Sequence, residues 1–514
     1  MFVFGDGTFT KRTSEKKKEV KNLWEQLVTY SESDYYPFHM PGHKRFPKEN
    51  ALACYKCFPK ESAPPCYKRL EYLYQYDITE IEGFDNLHDA KDLLLALQQK
   101  AAGIYHAEQS FFLINGSTGG ILSAVSAVAE DGKKLLIARN CHKSVYNAVV
   151  LNRLQTEYLY PQVIEDFAVQ GEITAKQVQE YLAGRRDICG VVITSPTYDG
   201  VISDIREIAK AVHACHIPLI VDEAHGAHFA LSENAPESAV QCGADIVINS
   251  VHKTLPALTQ TALLHVQGSL IDREKLKNYL GMYQSSSPSY LLMASIDQCM
   301  DFIAEEGEER YAGLLALRDR VDQAAAAFSC IRLMPAGERR DAGKLVISVK
   351  ETGMTGWELY RILLEKYHLQ MEMAAPDYVL GILSVMDTEE GIERLTDALA
   401  EIDREISGKD EKCAGIKNEK KRVDMYNIER PVSVLSIYEA IQREKEWIFP
   451  EEAGGRISGG FLFFYPPGIP FLVPGEVVSE EIICKIRQCR ESKEYMTGIS
   501  DDGKLCVLKC CKLK

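Results

Sequence analysis

Between about Leu113 and Val266 the chain repeats one pattern: a short apolar run of strand length, then a longer amphipathic stretch. The runs are LLIA from Leu135, GVVIT from Gly190, PLIVD from Pro218, DIVINS from Asp245 and ALLHV from Ala262. They are continuous rather than alternating, the signature of strands covered on both faces, as in a parallel sheet. Between two of them, DIREIAKAVHACH sets Ile205, Ile208, Ala209 and Val212 at helical spacing behind the cap signal Ser203/Asp204. Strands alternating with helices predict βαβ units and a large α/β domain with a mostly parallel sheet. Ahead of it, the first thirty residues read as a lysine-rich arm and an amphipathic helix from Val20 to Tyr30.

Beyond Leu291 the order changes. Helical spacing in LLALRDRVDQAAAAF from Leu314 precedes the strand KLVISV from Lys344, then WELYRILLEKYH and a further strand near Tyr378. That order predicts a smaller α+β domain. Residues 408–422, GKDEKCAGIKNEKKR, are charged and poor in apolar side chains, the pattern of a linker or long surface loop. The expected organisation is an arm (1–30), a large domain (31–290), a small α+β domain (291–407), a charged linker (408–422) and a C-terminal module (423–514).

Composition narrows the class. With 46% hydrophobic and 26% charged residues, the 514-residue chain can bury a large core. Its net charge of −15 argues against a general nucleic-acid binder, which needs a basic face for phosphates. Fifteen cysteines invite a disulfide scaffold, yet the start MFVFGDGTFTKRTSEKKK has no apolar core of a secretion signal. No run of 18 apolar residues offers a membrane span, and the longest C-terminal apolar stretch is broken by Pro466, Pro467 and Pro470. The expectation is a cytoplasmic protein with reduced thiols.

Three segments carry candidate chemistry. Ser250-Val251-His252-Lys253 follows the strand DIVINS, and Asp222-Glu223 ends the run PLIVD. Open α/β sheets bind ligands at the carboxyl ends of their strands. A lysine there can form a Schiff base with an aldehyde cofactor, and a carboxylate can keep a pyridine nitrogen protonated. Asn115-Gly116-Ser117-Thr118-Gly119-Gly120 opens an amphipathic stretch, and glycines, hydroxyls and a helix N-terminus together make an anion site. Singly, each has an ordinary reading as a surface lysine, a turn acid or a helix cap. Together they supply what pyridoxal phosphate needs. His225 and His228 have metal-ligand spacing but no third ligand, and Cys54-x-x-Cys57 lacks a second pair, so no metal is expected.

These segments resemble the ornithine/lysine/arginine decarboxylase family, enzymes of the aspartate-aminotransferase-like pyridoxal-phosphate fold. The resemblance runs through PFHMPGHK (from Pro37), DITEIEGFDNLH (from Asp77), the NGSTGG loop, NCHKSVYNA (from Asn140) and TSPTYDGVISDI (from Thr194). It continues in VDEAHGAH (from Val221), SVHKT (from Ser250), SSSPSYLLMASID (from Ser285), DAGKLVISV (from Asp341) and YPPGIPFLVPGE (from Tyr465). The last is peculiar to the family's C-terminal domain. Two departures stand out: Arg45 and Phe46 follow PGHK where the family commonly has glycines, and residues 48–68 match nothing in it. The likeness is to the short form, which lacks the receiver-like N-terminal domain of acid-inducible members.

The resemblance implies roles. Lys253 would form the Schiff base with pyridoxal 5'-phosphate, Asp222 would pair with its ring nitrogen, and His142 would stack on the ring with His225 beside it. Ser117, Thr118, Gly119, Ser250 and His252 would hold the phosphate. Ser286 or Ser287 would reach the phosphate of a neighbouring subunit, in a homodimer or higher even oligomer with shared sites. Glu372 would meet the substrate's distal cation. The implied activity is decarboxylation of a basic amino acid, arginine before lysine before ornithine, feeding polyamine synthesis. Two alternatives stand beside it: transamination or an aldol-type reaction on the same cofactor, and a catalytically silent regulatory paralogue. The second would be marked by loss of the lysine or the aspartate, and both are present.

Overall fold

A computed structural model of the chain describes residues 34, 36–38, 78, 80, 84–413, 430–464, 468–491 and 496–512. The arm, the helix expected from Val20 to Tyr30, most of the PGHK segment and Cys54, Cys57 and Cys66 lie outside the described residues. In chain order the strands are β1 (Tyr36–Phe38), β2 (Gln109–Leu113), β3 (Lys134–Ala138), β4 (Gln155–Leu159), β5 (Val163–Ile164), β6 (Val169–Gln170), β7 (Ile188–Thr194), β8 (Leu219–Asp222), β9 (Ile246–Asn249) and β10 (Ala262–Val266). Seven form one sheet in the order β2-β10-β9-β8-β7-β3-β4.

Strands β9, β8, β7, β3 and β4 run parallel, and each expected apolar run falls on one of the sheet's strands. Val191, Val192, Ile220, Val221, Ile246 and Ile248 are fully buried, and burying each such side chain contributes roughly 1.5–3 kcal/mol. The last run differs in direction: β10 is antiparallel to both β2 and β9. A continuous apolar run reports burial on two faces and says nothing of direction. The connection from β9 to β10 holds only the four-residue helix Val251–Thr254, too short to carry the chain back along the sheet.

Helices cover both faces. Gly116–Val128, Lys143–Leu151, Ala175–Leu182 and Ile205–His213 pack into one core with Leu113, Leu264 and Ile248. On the other face Phe112 and Leu263 meet the helices Leu93–Ile104 and Tyr290–Ala325. The helix read behind Ser203/Asp204 forms over Ile205–His213, capped by the Asp204 carboxylate, which accepts from the Glu207 N–H at 3.1 Å.

A second sheet lies beyond β10: β11 (Arg332–Leu333), β12 (Lys344–Ser348), β14 (Met373–Ala374) and β15 (Tyr378–Ile382), in the antiparallel order β11-β12-β15-β14. Just before β14, β13 (Leu369–Met371) pairs in parallel with β1, so residues 36–38 join the second region rather than the large sheet. The helix predicted from Leu314 starts at Tyr290 and runs 36 residues, from the core under β2 and β10 to Leu317 and Val321 beneath the second sheet. The helix Glu389–Cys413 continues into the segment 408–422 expected as a linker. Its apolar positions Ile392, Leu395, Leu399, Ile402 and Ile406 keep helical register on the buried face, and that packing carries the helix past the charge shift.

The C-terminal residues form two small three-stranded sheets, one of Lys445–Ile448, Leu505–Lys512 and Arg456–Ser458 and one of Ile469–Leu472, Leu462–Phe464 and Met496–Thr497. They are tied to the end of β3 by a buried ion pair: Arg139 donates to Glu476 at 3.0 Å and to the Phe471 carbonyl at 3.2 Å. No helix among the described residues is long and apolar enough to cross a membrane, and Cys141, Cys189, Cys215, Cys242, Cys299, Cys330, Cys484, Cys489 and Cys506 are free thiols.

Candidate active site

The carboxyl ends of β3, β7, β8 and β9 open onto a cavity of about 420 Å³, within the range of small-molecule sites. Ser117, His142, Asp222, His225, Lys253 and Glu372 all line it. Residues up to 255 apart in sequence therefore share one wall-to-wall space because each sits just past a strand end or, for Glu372, between β13 and β14. Ile469, from the C-terminal module, closes one side.

Lys253 lies in the short helix after β9, its Nζ 3.1 Å from His225 Nε2. Burial lowers its pKa, against the pull of Asp222 and Glu372. Asp222, the last residue of β8, is 3% exposed and accepts from the Ala224 N–H at 3.2 Å. Burial raises its pKa, opposed by Lys253. A carboxyl in that condition is stabilised as an anion by a cationic hydrogen-bond donor, which is what a protonated ring nitrogen is.

His142 caps the helix Lys143–Leu151, its Nδ1 accepting from the Ser144 N–H at 3.3 Å. Burial, then the charges of Lys253 and Lys143, push its pKa down to about 4, so the ring is neutral at neutral pH. His225 is held well below its ordinary value by burial and then by Lys253 and Lys344. His252 is pushed down to about 4, chiefly by burial, and donates from Nδ1 to the Thr261 carbonyl at 2.8 Å.

The NGSTGG segment opens the helix Gly116–Val128. Gly116, at φ +68°, turns the chain into the helix Gly116–Val128, a conformation that favours glycine. A Cβ on Gly120 would stand 2.6 Å from Leu113 Cδ1, so only glycine lets this helix approach β2 so closely. Asn115 makes no side-chain cap bond, which leaves first-turn N–H groups for an anion beside Ser117. The Ser250 hydroxyl is fully buried without a hydrogen-bond partner, and a buried polar atom of that kind calls for a ligand group. Phosphate chemistry fits this donor set.

Not every expected residue lines the cavity. Gly119 is buried in the helix and Thr118 is exposed at its start, while Ser250 and His252 lie behind the wall that Lys253 forms. Ser286 and Ser287 are on an exposed turn between the helices Arg273–Tyr283 and Tyr290–Ala325, outside this chain's cavity.

The wall residues Tyr198 and Asp199, and Lys344 behind His225, escaped sequence reasoning. Tyr198 donates its hydroxyl to Glu372 Oε1. Asp199 accepts from the Tyr378 hydroxyl at 2.8 Å, and burial pushes its pKa up to about 6. Lys344, the first residue of β12, places Nζ 2.8 Å from His225 Nδ1. The only signal for these was their place inside TSPTYDG and DAGKLVISV.

Comparison with known proteins identifies the family. Residues 21–388 match the family described as Orn/Lys/Arg decarboxylase, major domain, and residues 422–502 match Orn/Lys/Arg decarboxylase, C-terminal domain. The arginine decarboxylase of Bacillus subtilis (strain 168) is 31% identical over 482 residues, covering 90% of this chain and 92% of that protein. The arginine decarboxylase of Halalkalibacterium halodurans is 30% identical over 503 residues, covering 95% and 96%. Among solved structures, the Francisella novicida lysine decarboxylase superposes with a TM-score of 0.75 at 18% identity, covering 95% of this chain and 81% of that one.

Proposed function

We propose that this chain, which belongs to the Orn/Lys/Arg decarboxylase family, decarboxylates arginine with pyridoxal 5'-phosphate held in the cavity around Lys253. Membership makes it a carboxy-lyase acting on basic amino acids, and the family and fold are pyridoxal-phosphate-dependent. The observation that carries the reading is the meeting of Lys253, Asp222 and Glu372 in one cavity at the strand ends. The relatives named above as arginine decarboxylases favour arginine over lysine and ornithine.

When bound, the cofactor supplies an aldehyde that captures the substrate's amine and a ring that takes up the electron pair left as carbon dioxide departs. The protein supplies the rest. Lys253 would hold the cofactor covalently and move a proton at its Nζ. Asp222 would keep the ring nitrogen protonated, and His142, a neutral imidazole just past β3, would help hold the ring. Ser117, on the cavity wall, would hold the phosphate with its neighbours Thr118 and Gly119 and with Ser250 and His252 behind Lys253, and Ser286 or Ser287 would come from a second subunit in a homodimer or higher even oligomer. Glu372, steadied by Tyr198, receives the distal cation; a planar guanidinium gives a carboxylate two parallel donors. The amine product would feed polyamine synthesis in the cytoplasm.

The test is carbon dioxide release from arginine, lysine and ornithine by purified protein with added pyridoxal phosphate. Release with the highest kcat/KM for arginine is expected. Release from none of the three, or amino transfer to 2-oxoglutarate without release, overturns the reading.

A further inference from the structure

His225 sits between two lysines. Its Nε2 is 3.1 Å from Lys253 Nζ and its Nδ1 is 2.8 Å from Lys344 Nζ. A neutral imidazole has one donor nitrogen and one acceptor nitrogen. Two ammonium groups cannot both donate to it. One lysine donates into the ring's lone pair, and the ring N–H on the far side needs a lone pair, which only a neutral amine offers.

The surroundings decide which lysine is charged. Lys344 is 3% exposed, and its stem lies against Gly200, where a Cβ would stand 2.6 Å from Lys344 Cγ. Its ammonium faces Asp341, Glu372 and Asp199 and lies 5.7 Å from the centre of the Tyr198 ring, a cation–π distance. Asp341 is itself anchored, 2.9 Å from His228 Nε2. Lys253 faces Asp222 and Glu372, two carboxylates to the three around Lys344.

We propose that Lys344 is a positioning residue: as an ammonium it donates to His225 Nδ1, fixes His225 as the Nε2–H tautomer, and thereby holds Lys253 as a neutral amine. This rests on the reading of Lys253 as the cofactor-bearing lysine, and it assigns the protonation state that lysine needs, since only a free lone pair bonds to an aldehyde carbon. Burial lowers both lysines, and at about 8 Lys344 stays largely charged at neutral pH.

The test uses the full chain freed of cofactor. Lys253 is reductively methylated with formaldehyde and cyanoborohydride across a pH series, and its peptide is quantified by mass spectrometry. In Lys344→Met the like charge is gone and His225 is free to accept from Lys253 instead. The pH midpoint for Lys253 modification should rise by about one unit, a roughly tenfold lower reactivity at any pH below it. An unchanged midpoint overturns the proposal. Nitrogen-15 NMR of the wild-type histidines gives a second reading that needs no variant at Lys344, with His225 assigned by its disappearance in His225→Asn. Nδ1 without a proton and Nε2 with one is expected, and the reverse tautomer overturns the proposal. Failure of the underlying reading looks different: Lys253→Ala would then keep the visible absorbance of bound cofactor, whatever Lys344 does.

Discussion

Replacing Arg139 by Met should loosen the attachment of the C-terminal module in a pH-dependent way. Glu476 is fully buried; its carboxylate accepts from Arg139 at 3.0 Å and from the Val473 N–H at 2.8 Å. Burial raises its pKa and Arg139 opposes that rise. Without the guanidinium, the folded state keeps the carboxyl protonated. Relative to the ordinary value of 4.5, this costs stability increasingly as pH rises above it, by up to about 1.36 kcal/mol per unit. Loss of the bond to the Phe471 carbonyl and of the stacking 4.7 Å over Tyr158 adds roughly 2 kcal/mol at either pH. The sign follows from the raised pKa: above 4.5 the folded variant binds a proton that the unfolded chain releases, so its stability falls as pH rises. Urea unfolding by circular dichroism, at intervals from pH 5 to 8, should show a deficit against wild type of roughly 2 kcal/mol at pH 5 that grows as pH rises. Adding Glu476→Gln should flatten that pH dependence. A deficit that does not change with pH, or one that Glu476→Gln leaves as steep, would refute the reasoning.

Two further substitutions test the site itself. Asp222→Asn should leave the fold intact and lower kcat by about 10²–10³-fold, the usual effect of deleting a preorganised charge at a reacting centre; steady-state kinetics at saturating cofactor measure it. Glu372→Gln should act mainly on KM for the basic amino acid, raising it about 10- to 100-fold for the loss of one charge-assisted bond of roughly 1.5–3 kcal/mol, and an equal loss on a neutral amino acid would contradict its role.

The large sheet was legible because its strands are apolar without interruption, and that continuity follows from cover on both faces. Direction was not, as β10 shows, because burial is the same for either polarity. Strands β13 and β14 escaped notice since runs of three and two residues carry no periodicity, yet they set Glu372 on the cavity wall. For the site, Lys253, Asp222 and the NGSTGG loop stood out because each combines a reactive or anion-binding group with a strand end or helix start. Lys344 did not. It reads as the polar first residue of an apolar strand, and its role depends on a contact with His225, 119 residues earlier, that only folding creates. The charged run from residue 408 hides the helix that reaches Cys413, because the apolar positions that pack it, Ile392 to Ile406, lie upstream of the run.

The central claim is that Lys253, and not the more deeply buried Lys344, carries the cofactor. Borohydride reduction of the holoprotein, followed by peptide mass spectrometry, tests it most directly. The account predicts the phosphopyridoxyl mass on the peptide containing Lys253. That mass on the Lys344 peptide, or on any other lysine, would contradict it.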